Sequence, residues 1–279
     1  MRVEERAHAK VNLVLHVGAP RPDGLHPLCS LFASLDLADV LTVEAGGSED
    51  MVICPGVEGE NLAARALEAF RAAAPGGDLP PLRVTIGKRI PIAAGLGGGS
   101  ADAAAVLRAA NRLAGAPLDA GALRSLGASL GSDVPSQIDP RHALVTGTGE
   151  LVEPLELTQM GLVLLPRREG LSTAAVYAEL DRLRAGGELH PRGALDPEPL
   201  RRLASGSVAE IAAGLENDLE AAALSLRPEL EGHLAELRQA GALAARISGS
   251  GPTAFGVFGD RDSAGSAARS IPRAILATA

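Results

Sequence analysis

The stretch "PIAAGLGGGSADAAAVLRAANRLAG", residues 91–115, places three consecutive glycines directly before a run of helix-forming residues. Glycine loses more conformational entropy on folding than any other residue, and it has no side chain to pack. The first N–H groups of a helix lack intrahelical partners, and a glycine-rich loop can curl until such groups converge on an anion. The pattern therefore favours a phosphate site over the simpler alternative, a tight turn that allows close helix packing.

The same stretch predicts a helix over roughly residues 101–114, with Ser100 as its N-cap and Gly115 as its end. Small apolar residues recur along one side of this helix, so we expect it to pack closely against a sheet. Ser100 can act as the cap alone, or its hydroxyl can also lie near a phosphate or a metal ion. The sequence leaves both roles open.

Two other phosphate-binding motifs fit this loop poorly. A Walker A loop ends in Gly-Lys-Ser/Thr, whereas Ser100 here follows Gly99 without an intervening lysine. A dinucleotide fingerprint has glycine at its sixth position and directly follows a strand. Ser100 occupies that sixth position, and Pro91 separates the loop from the strand-like segment "LRVTI". A dinucleotide-dependent reductase is therefore a weaker alternative.

Composition limits the possible partners and compartments. The formal net charge of −8 argues against a broad nucleic-acid-binding surface. No apolar run approaches the roughly 20 residues that a membrane span needs, and the charged start "MRVEERAHAK" lacks a signal-peptide core. We therefore expect a cytoplasmic protein with no nucleic-acid and no membrane partner. Cys29 and Cys54 match no metal or redox spacing, so we expect both to be free and buried.

Lysine is rare in this chain, because only Lys10 and Lys88 occur among 26 basic residues. Around Lys10, the segment "AHAKVNLVLHV" (residues 7–17) alternates with a period of two, which is typical of a strand with one buried face. Lys10 and Asn12 then point to the same side, one strand step apart. A lysine kept at that position suggests a need for a compact ammonium group, although chance remains an alternative.

The order of strand-like and helical segments predicts an α+β protein of two lobes. Strand patterns dominate the first half, and helical patterns dominate after Ser172. The segments "SLFASLDL" and "DVLTVEA" predict two separate strands, and "GSDVP" predicts a loop. We place the lobes at residues 1–155 and 156–279.

The segment "IPIAAGLGGGSADAAAVL" resembles the second motif of the GHMP kinases, whose pattern is Pro-x-x-x-Gly-Leu-Gly-Ser-Ser-Ala. Further segments match one branch of that family in the same order over nearly the whole chain: "AKVNLVLHV", "RPDGLHPLCSLF", "GSDVP", "ENDLE" and "ISGSGPTAFGVF". The resemblance implies a two-lobed GHMP kinase fold. Its N-terminal, ATP-binding and catalytic lobe would be similar to ribosomal protein S5 domain 2, and its C-terminal lobe would be a ferredoxin-like α/β sandwich.

The resemblance also implies a reaction. The γ-phosphoryl group of ATP would pass to the tertiary 2-hydroxyl of a cytidine-diphosphate-linked methylerythritol, an isoprenoid precursor. ATP and Mg²⁺ would be the cofactors, this cytidine diphosphate compound would be the small-molecule partner, and the chain would be a monomer or a weak homodimer. The metal ligands stay unknown. The implied ATP-binding residues are Asn61, Pro91, Ala94, Gly95, Leu96, Gly97, Gly98, Gly99, Ser100 and Ala101.

The resemblance assigns catalysis to Lys10 and Asp133. Asp133 would act as the general base for the acceptor hydroxyl, and Lys10 would stabilise the developing alkoxide. The implied substrate-binding residues are Asn12, Leu25, His26, Thr173 and Tyr177. His26 would recognise the cytosine edge and Tyr177 would stack on the base. Leu25 stands where the family usually has tyrosine, so the base would keep one ring and gain an aliphatic cover.

Several points stay open at this level. Asp102 lies one turn beyond the glycine loop, where its charge is unfavourable near a triphosphate unless it points away or meets Mg²⁺. Lys88 and Arg89 can reach a phosphate or be ordinary strand-end cations. A GHMP kinase that acts on homoserine or mevalonate, and a non-catalytic nucleotide-binding module, are the rival functions.

Overall fold

A computed structural model describes residues 1–57, 59, 61–74, 79–167 and 169–279 of the chain. The strands are β1 (Arg2–Val17), β2 (Leu28–Ala45), β3 (Met51–Ile53), β4 (Leu82–Gly87), β5 (Ala143–Gly147), β6 (Leu151–Pro154), β7 (Gly161–Leu165), β8 (Glu216–Asn217), β9 (Ala244–Ile247), β10 (Ala254–Phe258) and β11 (Ile275–Thr278). The helices are α1 (Leu62–Ala73), α2 (Gly98–Leu113), α3 (Ala120–Ala128), α4 (Val134–Gln137), α5 (Thr173–Ala185), α6 (Glu198–Ala204), α7 (Val208–Ala213), α8 (Glu220–Leu226), α9 (Leu230–Gln239) and α10 (Arg261–Ser270).

The first sheet is built around the long strand β2. The antiparallel strand β1 pairs with β2 along almost its whole length. The other edge of β2 is shared, because residues 28–32 pair with β5 and residues 40–45 pair with β4. The prediction of two strands over this region is therefore wrong. The strand continues through the Asp36–Ala38 segment, where the local pattern suggested a break, although its register with β1 shifts there, between His8 and Lys10.

Strand β1 is buried on both faces over its central part, which corrects the expectation of one buried face. Val11 and Leu13 lie in an apolar cluster with residues of β7 and β10. On the opposite side Lys10 and Asn12 are also buried, at 5% and 3% relative exposure. The polar residues Lys10 and Asn12 therefore belong to a buried polar site and not to a solvent-exposed face of the strand. The β1–β2 register shifts between His8 and Lys10 and again between Asn12 and Val14.

The second sheet has the order β11-β7-β10-β9, and all of its pairs are antiparallel. Helices follow β7 and precede β9, and α10 connects β10 to β11, so the succession corresponds to the β-α-β-β-α-β pattern of a ferredoxin-like unit with additional helices. The fold thus agrees with the α+β prediction and with the two-lobed arrangement.

The two sheets share one apolar core. Leu13 and Leu31 of the first sheet lie in the same buried cluster as Leu162 and Phe255 of the second. In addition, the short strand β8, which lies late in the chain, pairs with β1 in parallel at Val14 and Leu15. The boundary that we place between residues 155 and 156 stays a prediction.

The two cysteines are free. Cys29 is buried, as predicted, but Cys54 is only half-buried. Within the part of the chain that the structure describes, no helix has the length and apolar character needed to cross a membrane.

We predict that Leu13→Ala will strongly destabilise the protein. Leu13 is fully buried between the sheets, and removal of a buried leucine side chain costs about 2–5 kcal/mol because it loses apolar burial and leaves a cavity. Urea unfolding should show this decrease in the free energy of unfolding. Leu151→Ala is the control, because Leu151 on β6 is 59% exposed. Equal effects of the two substitutions would contradict the shared-core description.

Candidate active site

The glycine loop ends in a left-handed residue, and this sets the start of α2. Gly97 has φ +71° and is the residue before the first helical turn, so α2 begins at Gly98. The prediction that Ser100 caps the helix is therefore wrong, because Ser100 lies inside the first turn and the cap forms no side-chain hydrogen bond. Among the described residues, no acceptor partners the backbone N–H groups of Gly98, Gly99 and Ser100. Unpartnered N–H groups at the start of a helix are donors of the kind that bind phosphate.

Backbone and hydroxyl contacts hold the loop in place from two sides. On one side, the backbone N–H of Lys10 donates to the Leu96 carbonyl oxygen at 3.0 Å. On the other side, the turn between β9 and β10 provides Thr253, whose Oγ1 donates to the Ala94 carbonyl oxygen at 2.6 Å. Gly95 has φ +76°, and a Cβ there would lie 2.4 Å from the Gly251 carbonyl oxygen. Glycine is required at this position by both conformation and close approach.

A cavity of about 500 Å³ lies over this loop. Most of the predicted site residues line it: Lys10, Asn12, Asn61, Pro91, Ala94, Gly95, Leu96, Gly97, Gly98, Gly99, Ser100, Asp133, Thr173 and Tyr177. Three predicted residues do not line it. Ala101 is fully buried in the α2 packing face, Leu25 is 54% exposed on the β1–β2 loop, and His26 is buried behind the cavity wall.

Lys10 and Asp133 come together although they are far apart in the chain. The Lys10 Nζ lies 3.1 Å from the Asp133 Oδ2 and donates a hydrogen bond of 2.8 Å to the Asn12 Oδ1. The ammonium also lies 4.6 Å from the centre of the Phe32 ring. The Asn12 Nδ2 in turn donates to the Ser30 Oγ at 3.0 Å. These contacts fix the ammonium in one position, and the two register shifts in β1 lie on either side of it.

Asp133 begins a short helix rather than lying in the middle of a loop. It is the residue before α4, and its side chain forms no capping bond. Its carboxylate is therefore not engaged by the helix start and is directed to Lys10. The side chain keeps 31% exposure, compared with 6% for Lys10, and both residues line the cavity.

A second lysine cluster lies under the glycine loop. The Lys88 Nζ contacts the Asp39 Oδ2 at 2.5 Å and the Asp102 Oδ2 at 2.8 Å. Asp39 also accepts the backbone N–H groups of Arg89 and Ile90. Lys88 is thus occupied with structural carboxylates, and Asp102 points to Lys88 rather than away from the loop. No local pattern predicted a role for Asp39, because it lies far from Lys88 in the chain.

Burial affects the pKa of both Asp102 and Lys88 in this cluster. It raises the pKa of Asp102 to about 7, although the Lys88 ammonium acts in the opposite direction. Burial lowers the pKa of Lys88, but the attraction of the two carboxylates prevails and the net shift is upward. The Asp102 Oδ1 is buried and has no hydrogen-bond partner among the described residues. One oxygen atom of the cluster is therefore left for a proton or a ligand.

Tyr177 and Thr173 form the wall opposite the β1 residues. Both lie on α5 and line the cavity. The Thr173 Oγ1 lies 2.9 Å from the Ser250 Oγ, which ties the start of α5 to the turn after β9. Burial, and to a smaller degree the charge of Asp133, raises the pKa of the Tyr177 hydroxyl to about 12. The ring is therefore neutral at physiological pH and close enough to Asp133 to sense its charge.

Comparisons with known proteins agree with this architecture. The profile of the GHMP kinases N terminal domain matches residues 61–139, and that of the GHMP kinases C terminal matches residues 200–276. A Streptomyces coelicolor protein named 4-diphosphocytidyl-2-C-methyl-D-erythritol kinase is 44% identical over 91% of this chain and 86% of its own length. A Nocardia farcinica protein of the same name is 46% identical over 89% of this chain and 82% of its own length.

The chain belongs to the GHMP kinase family. Its relatives place it in the branch of proteins named 4-diphosphocytidyl-2-C-methyl-D-erythritol kinase. A crystal structure of 4-(cytidine 5'-diphospho)-2C-methyl-D-erythritol kinase matches this GHMP kinase with a TM-score of 0.81 and 36% identity, covering 99% of this chain and 98% of the other. Mevalonate kinase from L. major matches with a TM-score of 0.72 and 16% identity, over 99% of this chain and 95% of the other. At that identity the likeness concerns the fold alone.

We predict a pH-dependent effect of Asp102→Asn on the stability of this GHMP kinase. An acid whose pKa is raised in the folded state costs stability as pH rises from its unfolded value, about 4, to its folded value, about 7. Asparagine resembles the protonated acid and does not titrate. The variant should therefore gain stability relative to the wild type between pH 5 and pH 8.

Urea unfolding at both pH values, in buffer that contains a chelator, measures this difference. Asp139→Asn is the control, since the carboxylate of Asp139 is 44% exposed and pairs with Arg141 at the surface. A variant whose relative stability is constant, or falls with rising pH, would contradict the assignment.

Proposed function

We propose that this GHMP kinase transfers the γ-phosphoryl group of ATP to the tertiary 2-hydroxyl of 4-diphosphocytidyl-2-C-methyl-D-erythritol, in isoprenoid precursor biosynthesis. One observation carries the proposal. The ion pair of Lys10 and Asp133, 3.1 Å apart, opens into the same cavity as the free N–H groups of the glycine loop. The names of the relatives support the choice of this acceptor.

The glycine loop would hold the triphosphate of ATP. The N–H groups of Gly98, Gly99 and Ser100 are available as donors, and the positive end of the α2 dipole adds to their attraction for an anion. Asn61 lies at the same cavity and already uses its Oδ1 to cap α1 through the Ala63 N–H. The Asn61 side chain would contact the nucleoside part of ATP.

Asp133 would act as the general base. As the acceptor oxygen forms its bond to the γ-phosphorus, the bond from this phosphorus to the bridging oxygen breaks and ADP leaves with that electron pair. The hydroxyl proton passes to the Asp133 carboxylate. Because a tertiary alcohol is a weak acid, the transfer belongs late in the step. Lys10, fixed by Asn12 and Asp133, stabilises the charge that develops on the acceptor oxygen.

Oxygen donors beside the loop fit a nucleotide-bound Mg²⁺. The unpartnered Oδ1 of Asp102 and the hydroxyl of Ser100 lie on residues that line the cavity. Mg²⁺ commonly takes one or two protein oxygens together with phosphate oxygens and water. Within the described residues, no group of three or more His, Cys, Asp or Glu side chains is arranged to hold a metal ion. When bound, Mg²⁺ would neutralise charge on the triphosphate.

The cytidine end of the acceptor would lie against Tyr177. Stacking of a base on an aromatic ring is worth about 1–3 kcal/mol. The His26 ring does not line the cavity, so it would support this wall rather than read the base edge directly. Leu25 is exposed on its loop and would cover the base only if that loop moved.

Acceptor specificity tests the proposal. ADP release should be measured by a coupled assay with 4-diphosphocytidyl-2-C-methyl-D-erythritol, homoserine and mevalonate. Turnover is expected with the cytidylyl compound alone, and ³¹P NMR should show a new phosphate monoester. Turnover of homoserine or mevalonate without the cytidylyl compound would refute the proposed acceptor. ATP binding without turnover of any alcohol would favour a non-catalytic nucleotide-binding module.

We predict that Asp133→Asn will lower kcat by about 10²–10⁴-fold. The variant keeps the shape of the side chain but cannot accept the proton, so the dissociation constant for ATP should change by less than about threefold. Steady-state kinetics and calorimetric titration with an ATP analogue provide the two measurements.

Asp139→Asn serves as the matched control, because Asp139 lies a few residues further along and pairs with Arg141 at the surface. Its kcat should equal that of the wild type. Wild-type turnover in Asp133→Asn would remove this carboxylate from the mechanism.

A further inference from the structure

The residues along one face of α5 contact first the cavity and then, further along the helix, the β1–β2 loop. Thr173, Tyr177, Asp181 and Arg184 are spaced by four, four and three residues, so they lie along one side of the helix. Thr173 and Tyr177 line the cavity. Asp181 and Arg184, one and two turns further on, contact the loop that leaves β1.

His26 is held between the loop and this helix face. Its Nδ1 lies 3.0 Å from the Gly18 carbonyl oxygen, and its Nε2 lies 3.2 Å from the Asp181 Oδ2. The side chain is only 5% exposed. Both ring nitrogens therefore face protein oxygens.

The His26 ring packs against Tyr177. The ring centres are 5.0 Å apart and the planes are tilted by 45°, which is a favourable aromatic arrangement. Tyr177 also lines the cavity. Anything that fixes the His26 ring thus fixes the wall on which a base would stack.

Few other aromatic rings can serve this purpose. The chain has four Phe residues, one Tyr and no Trp. Of these rings, Phe32 and Tyr177 line the cavity, and Phe32 lies under the Lys10 ammonium. The affinity for a base would therefore depend strongly on the orientation of the Tyr177 ring.

Arg184 anchors the same loop from the end of the helix face. Its Nη2 donates to the Val17 carbonyl oxygen at 2.9 Å, and its Nη1 donates to the Gly18 carbonyl oxygen at 3.3 Å. The Gly18 carbonyl oxygen, which accepts a hydrogen bond from His26, is therefore also held by Arg184. Asp181 is the remaining partner of the imidazole, and it is the one supplied by α5.

We propose that Asp181 is a positioning residue that holds the His26 ring against Tyr177 and thereby sets the affinity for the cytidine part of the acceptor. This inference rests on the proposed function for its ligand. Asp181 touches no reacting atom, so kcat and ATP binding should be independent of it.

The variants Asp181→Asn and Asp181→Ala test this inference. The KM for 4-diphosphocytidyl-2-C-methyl-D-erythritol and the calorimetric Kd for cytidine diphosphate should rise by about tenfold, as expected for loss of a hydrogen bond to a charged group. The kcat and the KM for ATP should stay near wild-type values. Glu188→Gln is the control, because the Glu188 carboxylate lies just beyond α5 and pairs with Arg182.

A spectroscopic measurement tests the positioning without any ligand. Tyr177 is the only tyrosine and there is no tryptophan, so the tyrosine emission reports this ring alone. In both Asp181 variants its fluorescence anisotropy should fall, whereas Glu188→Gln should match the wild type.

The outcomes separate the two proposals. Unchanged anisotropy together with an unchanged Kd for cytidine diphosphate would overturn the role of Asp181 and leave the proposed function intact. An equal rise of the KM values for ATP and acceptor would also overturn it, because that indicates a general structural effect. Failure of the wild type to bind cytidine diphosphate would overturn the acceptor assignment, and with it the ligand of this inference.

Discussion

The site depends on one backbone hydrogen bond between β1 and the glycine loop. The N–H of Lys10 donates to the Leu96 carbonyl oxygen, while the side chain of the same residue reaches Asp133. A single residue therefore sets the distance between the phosphate-binding donors and the candidate base. Gly97 must be glycine partly for this reason, because a Cβ there would lie 3.0 Å from the Lys10 Cγ.

Lys10 is buried and Lys88 is half-buried in this Arg-rich chain, and each contacts carboxylates. Lys10 pairs with Asp133, and Lys88 bridges Asp39 and Asp102. A compact ammonium fits such enclosed positions, whereas the wide guanidinium group of arginine needs more space and more acceptors. The two clusters differ in charge balance. Lys88 faces two carboxylates. Burial raises the pKa of Asp102, and the charge of Asp39 makes a smaller upward contribution.

The cavity combines residues from distant parts of the chain. Strand β1, the glycine loop and the start of α4 supply Lys10, the loop N–H groups and Asp133, whereas α5 and the turn after β9 supply Tyr177, Thr173 and Ser250. Since both sheets share one apolar core through Leu13, these groups are held in one rigid frame. In the proposed function, base recognition and phosphate recognition would lie on different elements and could vary separately. Oligomeric state and cellular location stay predictions.

Local sequence patterns predicted the α+β class and the glycine loop that precedes a helix. They also predicted that the Lys10 and Asn12 side chains lie on the same side of β1. These features follow from local propensity and periodicity, which act over a few residues. Tertiary structure alone decided that α2 begins at Gly98, because the left-handed Gly97 turns the chain there. It alone joined Lys88 to Asp39, buried both faces of β1, and placed His26 behind Tyr177 while Leu25 stayed exposed. Such contacts depend on how distant segments pack, and no local pattern encodes them.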